Sequence, residues 1–335
     1  MTNPTPISRQ DVAEDAQHAA HNAVPGVSRL APSPTGALHL GNIRTFLVNW
    51  AVARQRGWRL RMRIEDLDGP RVKSEFIQQT LDLLAWVGID WDGDVLLQSA
   101  DLSPYHNALE QLAKSGAVYP CELTRSEIDD AASAPHSTAG QSIFPATLRP
   151  PGAGEPVEAD RADANYRLLI DEQPETVDDA LVGRTVYRPS KDIGDFVIWT
   201  RRGVPAYQLA VVVDDIRQGV TDVIRGDDLL PSAARQQLIC RLLGATPPTW
   251  WHLPLVLGRD GRRLAKRHGD TRLASYRASG AHPDRIIGLM AKWCGLMEHP
   301  VEMDANEFKN CFRMDAVPLD PVILSAEDEQ WLNGD

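Results

Sequence analysis

A chain of 335 residues with 43% hydrophobic content is long enough to bury one large core or two modest ones, which excludes a minimal binding motif. Its four cysteines, Cys121, Cys240, Cys294 and Cys311, form no C-x-x-C or Cys/His cluster, which argues against a disulfide scaffold and a compact zinc site and favours a reducing cytoplasm. A net charge of −11 is a poor sign for a nucleic-acid partner, because phosphate contacts supply much of that affinity.

Residues 1–27 lack the unbroken apolar run of a signal peptide and are expected to be a disordered leader. No later stretch approaches the roughly 18 to 20 apolar residues of a membrane span, so no membrane partner is expected. From Leu30 the chain turns through APSPTGALHLGN, and Ile43, Phe46, Leu47 and Trp50 then recur at helical spacing until Gly57. WRLRMRIE follows with period two, predicting a strand with Trp58, Leu60, Met62 and Ile64 on one face and Arg59, Arg61 and Arg63 on the other. A second helix is predicted from Glu75 to Val87, stopped by Gly88.

Helices and strands alternating at this spacing predict an α/β fold with right-handed βαβ units around a parallel sheet, whose crevice lies beyond the carboxyl ends of the strands. Residues 28–120 are read as the first half of such a Rossmann-type domain. Residues 121–163, rich in Ala, Pro, Ser and Gly, are read as an irregular insertion. The second half spans 164–257, from ANYRLLI and DFVIWTRRG to AYQLAVVVDD, the last predicted to be a buried strand. A helix from Ser232 to Leu243 and a buried strand in WWHLPLVLG complete it. Residues 258–335 hold a basic loop and a tail with a helix over Pro283–Leu296 and another near the terminus.

Two strings carry candidate chemistry. The rigid turn Pro32–Asn42 feeds a helix opening near Gly41, where free N–H groups and the helix dipole favour a phosphate, Gly41 lets a nucleotide approach the backbone, and His39 can donate to a phosphate oxygen. The basic loop carries Arg259, Arg262, Arg263, Lys266, Arg267 and Arg272, and Lys266 is placed to stabilise a phosphoryl group under attack, an effect of about 10²–10³ in rate. A lone histidine in a turn, or a basic loop by itself, is more often structural or solvated, so the inference rests on both together.

The pair resembles the two signatures of class I aminoacyl-tRNA synthetases: His39-Leu40-Gly41-Asn42 is similar to the HIGH-type motif, and Arg263-Leu264-Ala265-Lys266-Arg267 to the KMSKS-type motif. Arg29–Ser33, Arg63–Asp68, Tyr207–Asp215 and VIRGDDLL at 223–230 resemble blocks of the glutamate-specific branch. The resemblance implies ATP binding by His39, Gly41, Asn42 and Lys266, with His39 and Lys266 catalytic. It implies glutamate binding by Arg29, Ala31, Pro32, Ser33, Glu65, Tyr207 and Arg225. Chemically, guanidinium forks suit the acid and a carboxylate suits the ammonium.

With no anticodon-binding region after Asp335, the chain resembles the truncated branch of that family, whose members place glutamate on queuosine in tRNA(Asp). This implies L-glutamate, ATP and queuosine-bearing tRNA(Asp) as substrates, Mg²⁺ with the ATP, and a cytoplasmic monomer. The alternatives are a catalytic chain charging tRNA(Glu) and a synthetase-like protein that binds nucleotide or tRNA without catalysis. The Lys266-Arg267-His268-Gly269 run is closer to the full-length enzymes.

That branch usually carries zinc on a C-x-C pair followed by Y-x-x-x-C. Here the matching stretches are Cys121-Glu122-Leu123 and Phe144–Leu148, so one ligand of four survives and zinc is expected to be absent, with no metal ligands assigned. Adding His136 would make only two. Leu123, Phe144 and Leu148 are expected to pack together instead.

Overall fold

The computed structural model describes residues 25–34, 38–67, 74–124, 126–128, 143–262, 264 and 271–334. The first strand β1 (Val27–Leu30) leads to helix α1 (Leu40–Gln55), and strand β2 (Arg59–Ile64) follows. Helix α2 (Ser74–Trp86) then precedes strand β3 (Val95–Leu97). These strands form a parallel sheet in the order β1-β2-β3, with Val27 opposite Arg59 and Met62 opposite Val95. Helix α1 is buried on most sides, Leu40, Ile43, Leu47, Val48 and Ala51 having no exposed surface, which makes it the central post of the core.

Strand β2 departs from the expected two-faced pattern. Leu60, Met62 and Ile64 are buried as predicted, but so is Arg63, at 0% exposure. Its face of the sheet is covered, and the charge is met by Asp215 rather than water.

Helix α3 (Ser103–Lys114) is followed by strand β4 (Val118–Cys121), strand β5 (Asn165–Leu168) and the hairpin of strands β6 (Glu175–Asp179) and β7 (Gly183–Tyr187). Next come strand β8 (Phe196–Trp199) and helix α4 (Tyr207–Gln218). Strands β5 and β8, expected in the core sheet, instead pair antiparallel with β4 in the order β4-β5-β8. Beside this sheet Tyr119, Cys121, Ile128 and Phe144 form a small core with Leu123 and Leu148 packed against it, as the apolar replacements at the ligand positions suggested.

AYQLAVVVDD is a helix, α4, and not the expected strand. Its residues Leu209 to Asp215 are all buried, since the helix lies between β8, α3 and helix α5 (Leu230–Leu242). A short apolar run buried on every side has no polar phase to reveal its period.

Strand β9 (Asp222–Gly226) precedes α5, and strand β10 (Thr249–Leu253) follows it. The second sheet has the order β7-β6-β10-β9, with β6, β10 and β9 parallel. Thr221 joins the two sheets: its N–H donates to the Val27 carbonyl at 2.8 Å and its Oγ1 accepts from the Val27 N–H at 2.9 Å. The strand predicted in WWHLPLVLG is broken at Pro254, which has no N–H for a ladder, and resumes as strand β11 (Val256–Leu257). Arg44 Nη1 takes the Pro254 carbonyl at 2.6 Å.

Helices α6 (Leu273–Ala278), α7 (Pro283–Trp293) and α8 (Ala305–Cys311) follow, then strand β12 (Val322–Ile323) and helix α9 (Ala326–Asn333). Strand β12 pairs in parallel with β11. Among the described residues no helix is long and apolar enough to cross a membrane.

Candidate active site

A cleft of about 300 Å³ opens at the carboxyl ends of β1, β2 and β9, where an open α/β sheet is expected to bind its ligand. The predicted glutamate residues Arg29, Ala31, Pro32, Ser33, Glu65, Tyr207 and Arg225 all line it, as do His39, Gly41 and Asn42. Each arrives on a separate element: Arg29 on β1, Glu65 just after β2, Tyr207 at the first turn of α4 and Arg225 near the end of β9.

One end of the cleft is an ion cluster. Arg29 Nε lies 3.3 Å and Arg63 Nη1 2.6 Å from the same oxygen of Asp215, and Arg63 Nη2 lies 3.3 Å from Glu65. Burial opposes the charge of Asp215, but Arg63 and Arg29 outweigh it and hold the carboxyl below its ordinary value. Burial likewise opposes Arg63, and Asp215, Glu65 and Asp214 more than compensate. For Glu65 burial wins over Arg63 and Arg29, and its carboxyl is pushed up. Arg225 is pushed down to about 10, by burial first and by the neighbouring Arg29, with Tyr207, Asp215 and Glu65 acting against both.

Around the cleft three guanidiniums, Arg29, Arg63 and Arg225, thus stand with three carboxylates, Asp215, Glu65 and Asp228, and Arg225 is bonded to no carboxylate among the described residues.

The other end is the start of α1. His39 caps the helix: its Nδ1 accepts from the Asn42 N–H at 3.4 Å while Asn42 Oδ1 accepts from the His39 N–H at 3.1 Å. An accepting Nδ1 leaves the ring proton on Nε2, the tautomer able to donate to a phosphate oxygen. A Cβ on Gly41 would meet the His39 ring at 3.2 Å, so glycine here keeps the imidazole in place.

Lys266, Arg263, Arg267, His268, Gly269 and His136 lie outside the described residues. The flanks of the basic loop are described. Val256 on β11 lines the cleft. On the far side, the Leu40 N–H donates to the Thr271 carbonyl at 3.2 Å and the Leu273 N–H to the Leu38 carbonyl at 2.8 Å. The chain therefore re-enters the described structure beside His39.

Sequence reasoning missed the buried groups behind the cleft. His252 and Asp179 are fully buried side chains 2.6 Å apart, and Gln236 accepts from Arg225 at 2.7 Å. A histidine inside the apolar run WWHLPLVL was the available signal, since a buried polar group needs a partner.

Residues 27–316 match the family of class I tRNA synthetases (E and Q), catalytic domain. The chain belongs to this family. It is 46% identical over 282 residues to a glutamyl-Q tRNA(Asp) synthetase of Rhodopirellula baltica, covering 81% of this chain and 85% of that one. It is 40% identical to the glutamyl-Q tRNA(Asp) synthetase of Symbiobacterium thermophilum, covering 91% of this chain and 98% of the relative. In fold it is similar to a glutamate-tRNA synthetase of Elizabethkingia anophelis, with a TM-score of 0.78 at 24% identity, over 92% of this chain and 70% of that one.

Proposed function

We propose that this chain activates L-glutamate with ATP and transfers the glutamyl group to the queuosine of tRNA(Asp). The ion cluster carries the reading. L-Glutamate has two carboxylates and one ammonium, and the cleft lining offers the guanidiniums of Arg29 and Arg225 together with the carboxyl of Glu65. Glutamine is neutral overall and would leave a buried guanidinium incompletely paired, a strong basis for rejection. The two relatives with matching length bear the corresponding name.

In this reading Arg29 and Arg225 hold carboxylate, Glu65 takes the ammonium and Tyr207 offers its phenol from the cleft mouth. Ala31, Pro32 and Ser33 shape the floor. The substrate ammonium would favour ionised Glu65, opposing the burial that pushes its carboxyl up. An oxygen of the α-carboxylate attacks the α-phosphorus of ATP, forming a mixed anhydride as the bond to pyrophosphate breaks. His39 donates through Nε2 to the phosphates over Gly41 and Asn42, and Lys266 adds positive charge as pyrophosphate leaves. Mg²⁺ enters with the ATP phosphates, whose oxygens suit it. A hydroxyl of the acceptor then attacks the acyl carbon, loses its proton and expels AMP. A second cavity of about 420 Å³ shares Ser33, Glu65 and Tyr207 with the cleft and gives the acceptor room.

In this reading packing takes the place of the zinc of the branch. Leu123, Phe144 and Leu148 crowd around buried Cys121, so the small core is held by apolar contact. Treatment with a strong chelator should leave the melting temperature unchanged; a fall reversed by added zinc would overturn this.

Labelled glutamate with ATP should enter tRNA(Asp) that carries queuosine, and neither tRNA(Asp) without it nor tRNA(Glu). Label on tRNA(Glu) alone would assign the chain to aminoacylation. Failure to exchange pyrophosphate into ATP with glutamate present would show a binding protein without catalysis.

A further inference from the structure

We propose that His252, fixed by Asp179, is a positioning residue that presents Arg225 to the substrate carboxylate. The inference rests on the reading of Arg225 as a glutamate ligand. Asp179, His252 and Arg225 lie on three neighbouring parallel strands, β6, β10 and β9, with His252 directly opposite Arg225 in the register. Asp179 Oδ2 is 2.6 Å from His252 Nδ1, and Arg225 Nε donates to His252 Nε2 at 3.0 Å. All three side chains are buried, and the Trp250 ring, beneath the Arg225 guanidinium at 4.8 Å, stacks on the imidazole.

The direction of this relay follows from chemistry. An ionised carboxylate only accepts and a guanidinium only donates. The imidazole between them must carry its proton on Nδ1 and turn the Nε2 lone pair to Arg225. Burial, the largest influence, and the Arg225 charge keep the ring below its ordinary value and therefore neutral, although Asp179 and the Leu229 backbone pull the other way. Arg225 also donates to Gln236 Oε1 at 2.7 Å and to the Leu229 carbonyl at 3.1 Å. Three of its five donors are thus committed behind the cleft, and two remain for a ligand. Removing the acceptor at Nε2 would leave the buried Nε–H unmatched and free the guanidinium to turn.

Asp179 makes the test sharp. Its Oδ1 accepts from the Leu181 and Val182 N–H groups at 2.9 and 2.8 Å, while Oδ2 serves His252. In Asp179→Asn the amide oxygen stays with the Leu181 and Val182 donors, so the NH₂ faces Nδ1 and also the His252 N–H, which donates to Oδ2 at 3.2 Å in the parent. The ring proton is driven to Nε2, where it meets the Arg225 Nε–H donor to donor. His252→Phe removes the acceptor outright. His252→Gln can place an amide oxygen near the position of Nε2.

The measurement is glutamate-dependent ATP–pyrophosphate exchange by the full chain, with KM for glutamate, KM for ATP and kcat determined separately. His252→Phe and Asp179→Asn should raise KM for glutamate about ten- to hundredfold with KM for ATP unchanged. His252→Gln should recover most of the loss. A fall in kcat with glutamate KM unchanged, or equal rises in both KM values, would overturn the proposal. So would His252→Gln being as impaired as His252→Phe. If His252→Phe fails to fold, Asp179→Asn and His252→Gln still decide between these outcomes. Arg225→Lys separates the two levels of argument. An unchanged glutamate KM in that variant would remove the underlying site reading, whereas a raised one beside normal His252→Phe and Asp179→Asn enzymes would remove only the relay.

Discussion

Asp215 sets one carboxylate oxygen between two buried guanidiniums, Arg29 and Arg63. Burial would raise its pKa, but those arginines keep it below the ordinary 3.8. Because the folded value is depressed, the stabilisation from this group is complete above the unfolded pKa and is lost as pH falls through the folded one. Asp215→Asn leaves two buried cations without their shared partner and should cost about 3–5 kcal/mol at neutral pH. The variant should also lack the part of the acid destabilisation that wild type shows below pH 3.8; denaturant unfolding across pH measures both. At the other end of the cleft, Gly41→Ala should push the His39 ring and slow adenylate formation, read as kcat in pyrophosphate exchange, more than it weakens glutamate binding. That Arg29, Glu65 and Arg225 share a cleft was legible through the resemblance of their blocks to the glutamate-specific branch, and for Glu65 also because it ends a predicted strand. Asp179 as the partner of His252 was not, for the two are separated by 73 residues and only the sheet order joins them.

Among the elements, α4 shows where reading by pattern fails and what it costs. As a strand, Tyr207 and Asp215 would lie about 27 Å apart, whereas eight helical residues span about 12 Å. Only the helix brings a phenol to the cleft mouth and a carboxylate beneath Arg29 from one element. Helix α1 was legible because its end faces a glycine and proline turn and its periodicity is clear until Gly57. Helix α7 was legible too, though not its fit: a Cβ on Gly288 would lie 2.0 Å from the Val301 carbonyl oxygen. Gly288→Ala should therefore destabilise by about 1–3 kcal/mol or more, as overpacking does. Thermal unfolding reads this, and KM for glutamate should stay at the parental value because α7 contributes nothing to the cleft lining.

For the molecule as a whole, the α/β class and the crevice at the strand ends followed from alternation along the chain. The split of β5 and β8 into a separate antiparallel sheet did not, since a short apolar strand looks alike in either sheet. The small core around Phe144 should behave as a local unit: Phe144→Ala should speed amide exchange in β4 and β5 while exchange in β1 and β9 is unchanged. The pairing of β12 with β11 has a different reach. Val322 and Leu324 donate to the Leu255 and Leu257 carbonyls, and Arg259, at the entry to the basic loop, is ion-paired with Glu329 of α9. Synthesis runs from the amino end, so a chain still on the ribosome holds every proposed glutamate-binding residue before it owns the strand that braces the entrance to the basic loop.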